Sequence, residues 1–200
     1  LKTVLDDYET LGMQSEMDAE RIRSIGAAPH KVVVFGNIKY DLPSSTPKLD
    51  NALSKVLQGC QPLFVAASTA TGEEQLIMRA YSQIHSKYPN LKMLIAPRLP
   101  DRFNEVEELL RGSEFEFRRR SEIEQYNGSE SIILLDSIGE LTAVFKYASL
   151  VFIGGTLVPR GGHNILEAAR FEKPVLFGPY MENFREMAKS FLNANAAVQV

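Results

Sequence analysis

The sequence predicts an α/β fold built on a doubly wound parallel sheet. Three observations predict it. Short, continuous apolar runs recur along the 200 residues. Amphipathic stretches with helical spacing separate them. A glycine-rich segment, residues 154–162, directly follows one of the runs. Continuous apolar runs are what strands buried on both faces require. Their alternation with helices implies right-handed crossovers and a two-faced sheet.

In chain order, the predicted strands are residues 31–35 (KVVVF), 63–67 (LFVAA), 92–96 (KMLIA), 131–135 (SIILL), 150–153 (LVFI) and 174–177 (PVLF). Residues 115–117 and 197–200 carry weaker strand signals. Helices are predicted over 71–87, where Leu76, Ile77, Ala80, Tyr81 and Ile84 form one stripe, and over 101–111, with Phe103, Val106, Leu109 and Leu110. The same spacing marks 140–147, 163–170 and 181–194. Residues 41–47 (DLPSSTP) read as irregular. Residues 1–28 stand apart: 14–25 form a helix ended at Gly26, and 1–13 have no partner in the strand pattern. The expected division is therefore a connector and leading helix over 1–28 and one ligand-binding domain over 29–200, with a preceding domain absent.

Composition narrows the function. Hydrophobic residues make up 44% and the net charge is −3, so no nucleic-acid partner is expected, although Arg118, Arg119 and Arg120 form a local basic run. Cys60 is the single cysteine. It excludes an internal disulfide, and with only His30, His85 and His163 beside it neither a metal site nor a cofactor is expected. No apolar run reaches the roughly 18 residues that span a membrane.

In open α/β sheets ligands bind at the carboxyl ends of the strands, so those loops hold the candidate residues. Lys39 follows the first run, as an anion ligand or a solvated lysine. After residues 63–67, Ser68 and Thr69 lie beside the start of the next helix, and Thr71 with Glu74 has capping-box spacing. Pro97 and Arg98 follow 92–96; the arginine fork suits a phosphate, or pairs with Asp101 or Glu105. Ile138, Gly139 and Glu140 open a helix where a glycine lets a flat ring approach backbone. The segment 154–167 carries the strongest signal. Gly154 and Gly155, then Gly161 and Gly162, bracket a loop that leads into His163, Asn164, Ile165, Leu166 and Glu167. Such a loop lets a phosphate reach amide groups at a helix start. Asn164 and Glu167 share a helical face, and the carboxylate suits the two hydroxyls of a ribose. His163 reads as a phosphate or backbone contact rather than a catalytic base. Asn183 either bonds a ligand or caps the last helix.

Together GNIKYD, AASTATGEE, IAPRLPDRF, LLDSIGEL, FIGGTLVPRGGHNILEAA and PVLFGPYMENF resemble, in order and spacing, the 3-deoxy-D-manno-octulosonic acid (Kdo) transferases of lipopolysaccharide synthesis. The likeness covers about residues 13–200. It implies the Rossmann-like C-terminal half of a GT-B glycosyltransferase. It also implies CMP-Kdo as donor, a lipid A precursor as acceptor, and action at the cytoplasmic face of the bacterial inner membrane. By resemblance Pro97 and Arg98 contact the CMP, Ile138, Gly139 and Glu140 the cytidine, and Asn164, Ile165, Leu166 and Glu167 the phosphate and ribose. Ser68, Gly155, Gly162, His163 and Asn183 complete the donor site. No catalytic residue is expected in this chain; the family's general base is a glutamate of the N-terminal domain. Two positions depart from the family pattern, Ala70 and Leu99, where histidine is common. Two rivals stand beside this reading: a UDP-sugar transferase or 2-epimerase domain, and a nucleotide-binding module inactive alone.

Overall fold

The computed structural model describes residues 1–37, Tyr40 and 48–200. Lys39 and residues 41–47 lie outside the described residues. The chain divides into two compact units, Leu1–Ser44 and Ser45–Val200.

In the first unit α1 (Lys2–Asp6) precedes β1 (Leu11–Met13), α2 (Glu16–Ser24) and β2 (Val32–Val34). Ser15 caps α2 by accepting from the Asp18 amide at 3.2 Å. Strand β2 pairs in parallel with β1, Leu11 against Val32 and Met13 against Val34. Leu5, Ala19, Ala27 and Val32 form its core. The run KVVVF is thus a strand, but it belongs to this small sheet. The division falls after Ser44 instead of after residue 28. A three-residue strand at Leu11–Met13 carries too short a pattern to announce the partner that claims β2.

The second unit holds α3 (Asn51–Gly59), β3 (Leu63–Thr69), α4 (Glu73–His85), β4 (Lys92–Pro97), α5 (Phe103–Arg111), β5 (Phe117–Arg119), β6 (Ile132–Leu134), α6 (Leu141–Val144), β7 (Leu150–Ile153), α7 (Leu166–Ala169), β8 (Val175–Phe177), α8 (Arg185–Asn193) and β9 (Ala197–Gln199). The seven strands β3–β9 form one parallel sheet in the order β5-β6-β4-β3-β7-β8-β9. The fold is therefore the expected doubly wound α/β sheet. Side chains alternate between its two cores. Leu63, Val65, Ala67, Leu94, Val151, Ile153 and Phe177 pack with Leu53, Leu57, Ile165 and Met187 on one face. Ala66, Met93, Ile95, Ile132 and Phe152 pack with Ile77, Tyr81, Val106 and Leu110 on the other.

The helices are shorter than their patterns. The stretch 140–147 gives only Leu141–Val144 and a 3-10 turn, and 163–170 gives only Leu166–Ala169. Helix α3, capped by Asp50 on the Leu53 amide at 2.8 Å, lies beyond the predicted elements. The expected capping box at α4 does not form. Gly72, at φ 94°, is the N-cap with no side-chain bond, and Glu74 is drawn away to Thr69 at 2.7 Å and to Arg102 at 2.6 Å.

Candidate functional site

Strand order reverses at β3: the chain builds leftward through β4, β5 and β6, then crosses to β7. The crevice beyond the carboxyl ends of β3 and β7 is the topological switch point where such sheets take ligands. Five predicted loops meet around it.

Backbone crowding explains the glycines. The Gly154 amide donates to the Ala67 carbonyl at 2.7 Å. A Cβ on residue 154 would stand 2.6 Å from the Thr69 Cα. Ser68 adopts φ 54°, at a register shift between Ala67 and Thr69. This bulge turns the chain out of the sheet at the crevice rim. Pro97 closes β4 and is buried; the following Arg98 amide donates to the Thr69 carbonyl at 3.0 Å.

Arg98 itself is exposed. It pairs with neither Asp101 nor Glu105, and its guanidinium has no hydrogen-bond or ion-pair partner among the described residues. Its neighbour in sequence, Arg102, takes the acids instead: Glu74 at 2.6 and 3.1 Å and Glu105 at 2.9 Å. The basic run also resolves into pairs. Arg118 meets Glu130 at 2.8 Å, Arg119 meets Asp136 at 2.8 Å and Glu107 at 2.9 Å, and Arg120 meets Glu140 and Asp50. It is no basic patch.

The loop after β7 departs from expectation. The amides of Gly155, Thr156 and Leu157 do not face the crevice free. They donate to the fully buried Glu73 carboxylate at 2.6, 2.8 and 2.8 Å. Sequence reasoning missed this residue because Glu74, not Glu73, has the capping spacing from a hydroxyl. The Gly162 amide then bonds the Gly155 carbonyl at 2.9 Å, which folds residues 155–162 into a closed turn. Gly155, Gly161 and Gly162 all take positive φ. His163 lies over Gly155, its Nε2 3.1 Å from where a Cβ would stand. Burial, and then the Arg98 cation, hold its pKa below the ordinary histidine value, while Glu73 pulls the other way. Imidazole, guanidinium and buried carboxylate therefore share one locality.

The remaining candidates divide into exposed, engaged and buried groups. Ile138 is 71% exposed, beside Gly139 at φ 88° with open space around it, so this corner offers a bare apolar platform. Glu140 is engaged: Arg120 donates to both its oxygens at 2.9 Å, and Ser137 donates as well. Its carbonyl accepts from the Ala143 and Val144 amides at 3.0 and 3.2 Å, which leaves its backbone N–H for a ligand. Asn164 accepts from the Leu166 amide at 3.0 Å. Glu167 accepts from Thr142 at 3.1 Å, which ties the 138–142 corner to α7. Ile165 is fully buried in the core, so its side chain is not offered to a ligand; Leu166 is half-buried and packs against that core. Asn183 caps no helix. It packs on Gly161 and its amide donates to the Gly161 carbonyl at 3.0 Å. With four residues α7 also supplies little dipole, so the helix-start argument for anion binding is weak here.

Residues 1–42 match the family model described as 3-deoxy-D-manno-octulosonic-acid transferase (kdotransferase). The chain is 35% identical over 202 residues to the 3-deoxy-D-manno-octulosonic acid transferase of Haemophilus influenzae, covering all of this chain and 47% of that protein. It is 35% identical over 207 residues to a bifunctional glycosyltransferase/methyltransferase of Fusobacterium nucleatum, covering all of this chain and 31% of that protein. The crystal structure of the C-terminal CMP-Kdo binding domain of WaaA from Acinetobacter baumannii matches with a TM-score of 0.68 and 33% identity, over 74% of this chain and 77% of that one. The chain belongs to the Kdo transferase family. Its sheet is that of the GT-B glycosyltransferase domain on which the WaaA match falls. It spans about half, or less, of the length of the curated relatives it matches. Among the described residues, no helix is long and apolar enough to cross a membrane.

Proposed function

We propose that Ser45–Val200 binds CMP-Kdo and that the whole protein transfers Kdo to a lipid A precursor at the cytoplasmic face of the inner membrane. The observation that carries the reading is the 33% identity to a CMP-Kdo binding domain over 77% of its length. The crevice supplies what such a donor needs. Arg98 is an uncommitted planar cation for the phosphate. Ile138 is an exposed apolar surface for the cytosine ring, with the Gly139 backbone and the Glu140 N–H beside it to read the ring's edge. Glu167, held to the 138–142 corner through Thr142, offers a carboxylate to ribose hydroxyls.

In this reading an acceptor hydroxyl attacks the anomeric carbon of the sugar with inversion. The bond to the phosphate oxygen breaks, and CMP leaves as an anion that Arg98 and His163 stabilise. Deprotonation of the acceptor falls to a residue outside Ser45–Val200. The carboxylates around the crevice are engaged: Glu73 by four amides, Glu74 by Arg102, Glu140 by Arg120 and Glu167 by Thr142. We assign the first unit, which carries the family-model match, to the end of the acceptor-side domain.

Calorimetry tests the site. Arg98→Ala and Glu167→Ala should each weaken CMP binding by about tenfold, the loss expected for one charge-assisted contact. Unchanged affinity in both variants removes this assignment. Transfer of Kdo by Ser45–Val200 alone would contradict the placement of the base.

A further inference from the structure

Glu73 lies in the first turn of α4, immediately behind the crevice, and is 0% exposed. Its Oε1 accepts from the amides of Thr156 and Leu157, both at 2.8 Å. Its Oε2 accepts from Gly155 at 2.6 Å and Ala70 at 2.8 Å. Successive amides converging on one anion are the arrangement with which glycine-rich loops hold phosphate. Here the protein's own carboxylate fills it. The turn after β7 is thereby locked to the connection after β3, across the switch point, and its amides are withdrawn from any ligand. The crevice side is left with Arg98, unpartnered, and with His163, which rests on Gly155.

We infer that Glu73 is the positioning residue of the donor site: it fixes the turn that carries His163 and leaves phosphate binding to the side chains of Arg98 and His163. The inference rests on the CMP reading above. Glutamine cannot replace this carboxylate. Each oxygen receives two N–H groups, so whichever way the amide is turned its NH2 faces two donors.

The test begins with the unaltered, 15N-labelled chain titrated with CMP. The Arg98 Nε–H and His163 ring signals should move, while the amide protons of Gly155, Thr156 and Leu157 keep their carboxylate-bonded positions. Large shifts at those three amides with none at Arg98 or His163 would overturn the inference. In Glu73→Gln the midpoint of His163 titration should fall, because the carboxylate that favours imidazolium is gone. CMP affinity should fall by about tenfold or more, as two buried amides lose their acceptor. Glu130→Gln is the control, a buried carboxylate just before β6, at the opposite end of the sheet, that accepts from Asn127 and Gly128 at 3.2 Å. It should leave both readings alone. A parent-like midpoint together with CMP affinity within about twofold in Glu73→Gln overturns the inference. If the unaltered chain does not bind CMP, the functional reading fails, and the His163 midpoint in Glu73→Gln alone then decides whether Glu73 acts as inferred.

Discussion

Arg98 keeps a free guanidinium while Arg102, four residues on, is bound to Glu74 and Glu105. The difference is one of burial. Arg102 points under the sheet end, where an unpaired charge is costly; Arg98 points into the crevice. Arg98→Ala should therefore leave the melting temperature within about 1 °C of the parent, since an exposed, unpaired cation contributes little to stability. The same substitution should raise the midpoint of His163 titration, because it removes a cation that disfavours imidazolium. An NMR titration reads this directly. From the sequence alone Arg98 stood out by its place between Pro97 and Pro100, with pairing to Asp101 or Glu105 as the alternative. The Glu73 role was illegible because three of its four amide partners, Gly155, Thr156 and Leu157, lie far along the chain and leave no mark on local spacing.

At the scale of elements, the strands were legible and the helix ends were not. LFVAA, KMLIA and LVFI are buried on both sides, so every residue carries the signal. Helix α7 ends at Ala169 because Glu172 takes φ 58° and Pro174 follows, whereas its apolar pattern runs on. Helix α3 has both a cap and a stripe, Asp50 then Leu53 and Leu57, but follows a proline-rich segment that masked its start. The glycines make a matched pair for testing. Gly154→Ala should cost about 3 kcal/mol or more, because its Cβ would overlap backbone of β3 that cannot move aside. Gly139→Ala meets nothing and should cost about 1–2 kcal/mol, the left-handed backbone alone. Urea unfolding of the two variants separates them; equal costs would mean that β3 and β7 are not held at this approach.

Across the whole molecule the largest misreading was KVVVF, a strand pattern assigned to the wrong sheet. Apolar continuity identifies a buried strand but not its partner, and the partner here is three residues long. Stability against acid should follow the buried carboxylates. Burial would raise Glu130 and Asp136, yet hydrogen bonds and their arginine partners outweigh it and both lie below the usual carboxylate range. Their stabilisation is therefore full above the unfolded pKa, about 4, and is lost as pH falls through the lower folded values. Chemical denaturation from pH 7 to pH 3 should show the decline beginning below about pH 4.5, and Glu130→Gln should flatten it. The function turns on which nucleotide the crevice accepts. Calorimetric titration of the chain with CMP, CDP, UMP and UDP tests it most directly. CMP should bind most tightly; tighter binding of UDP than of CMP would contradict a CMP-Kdo site.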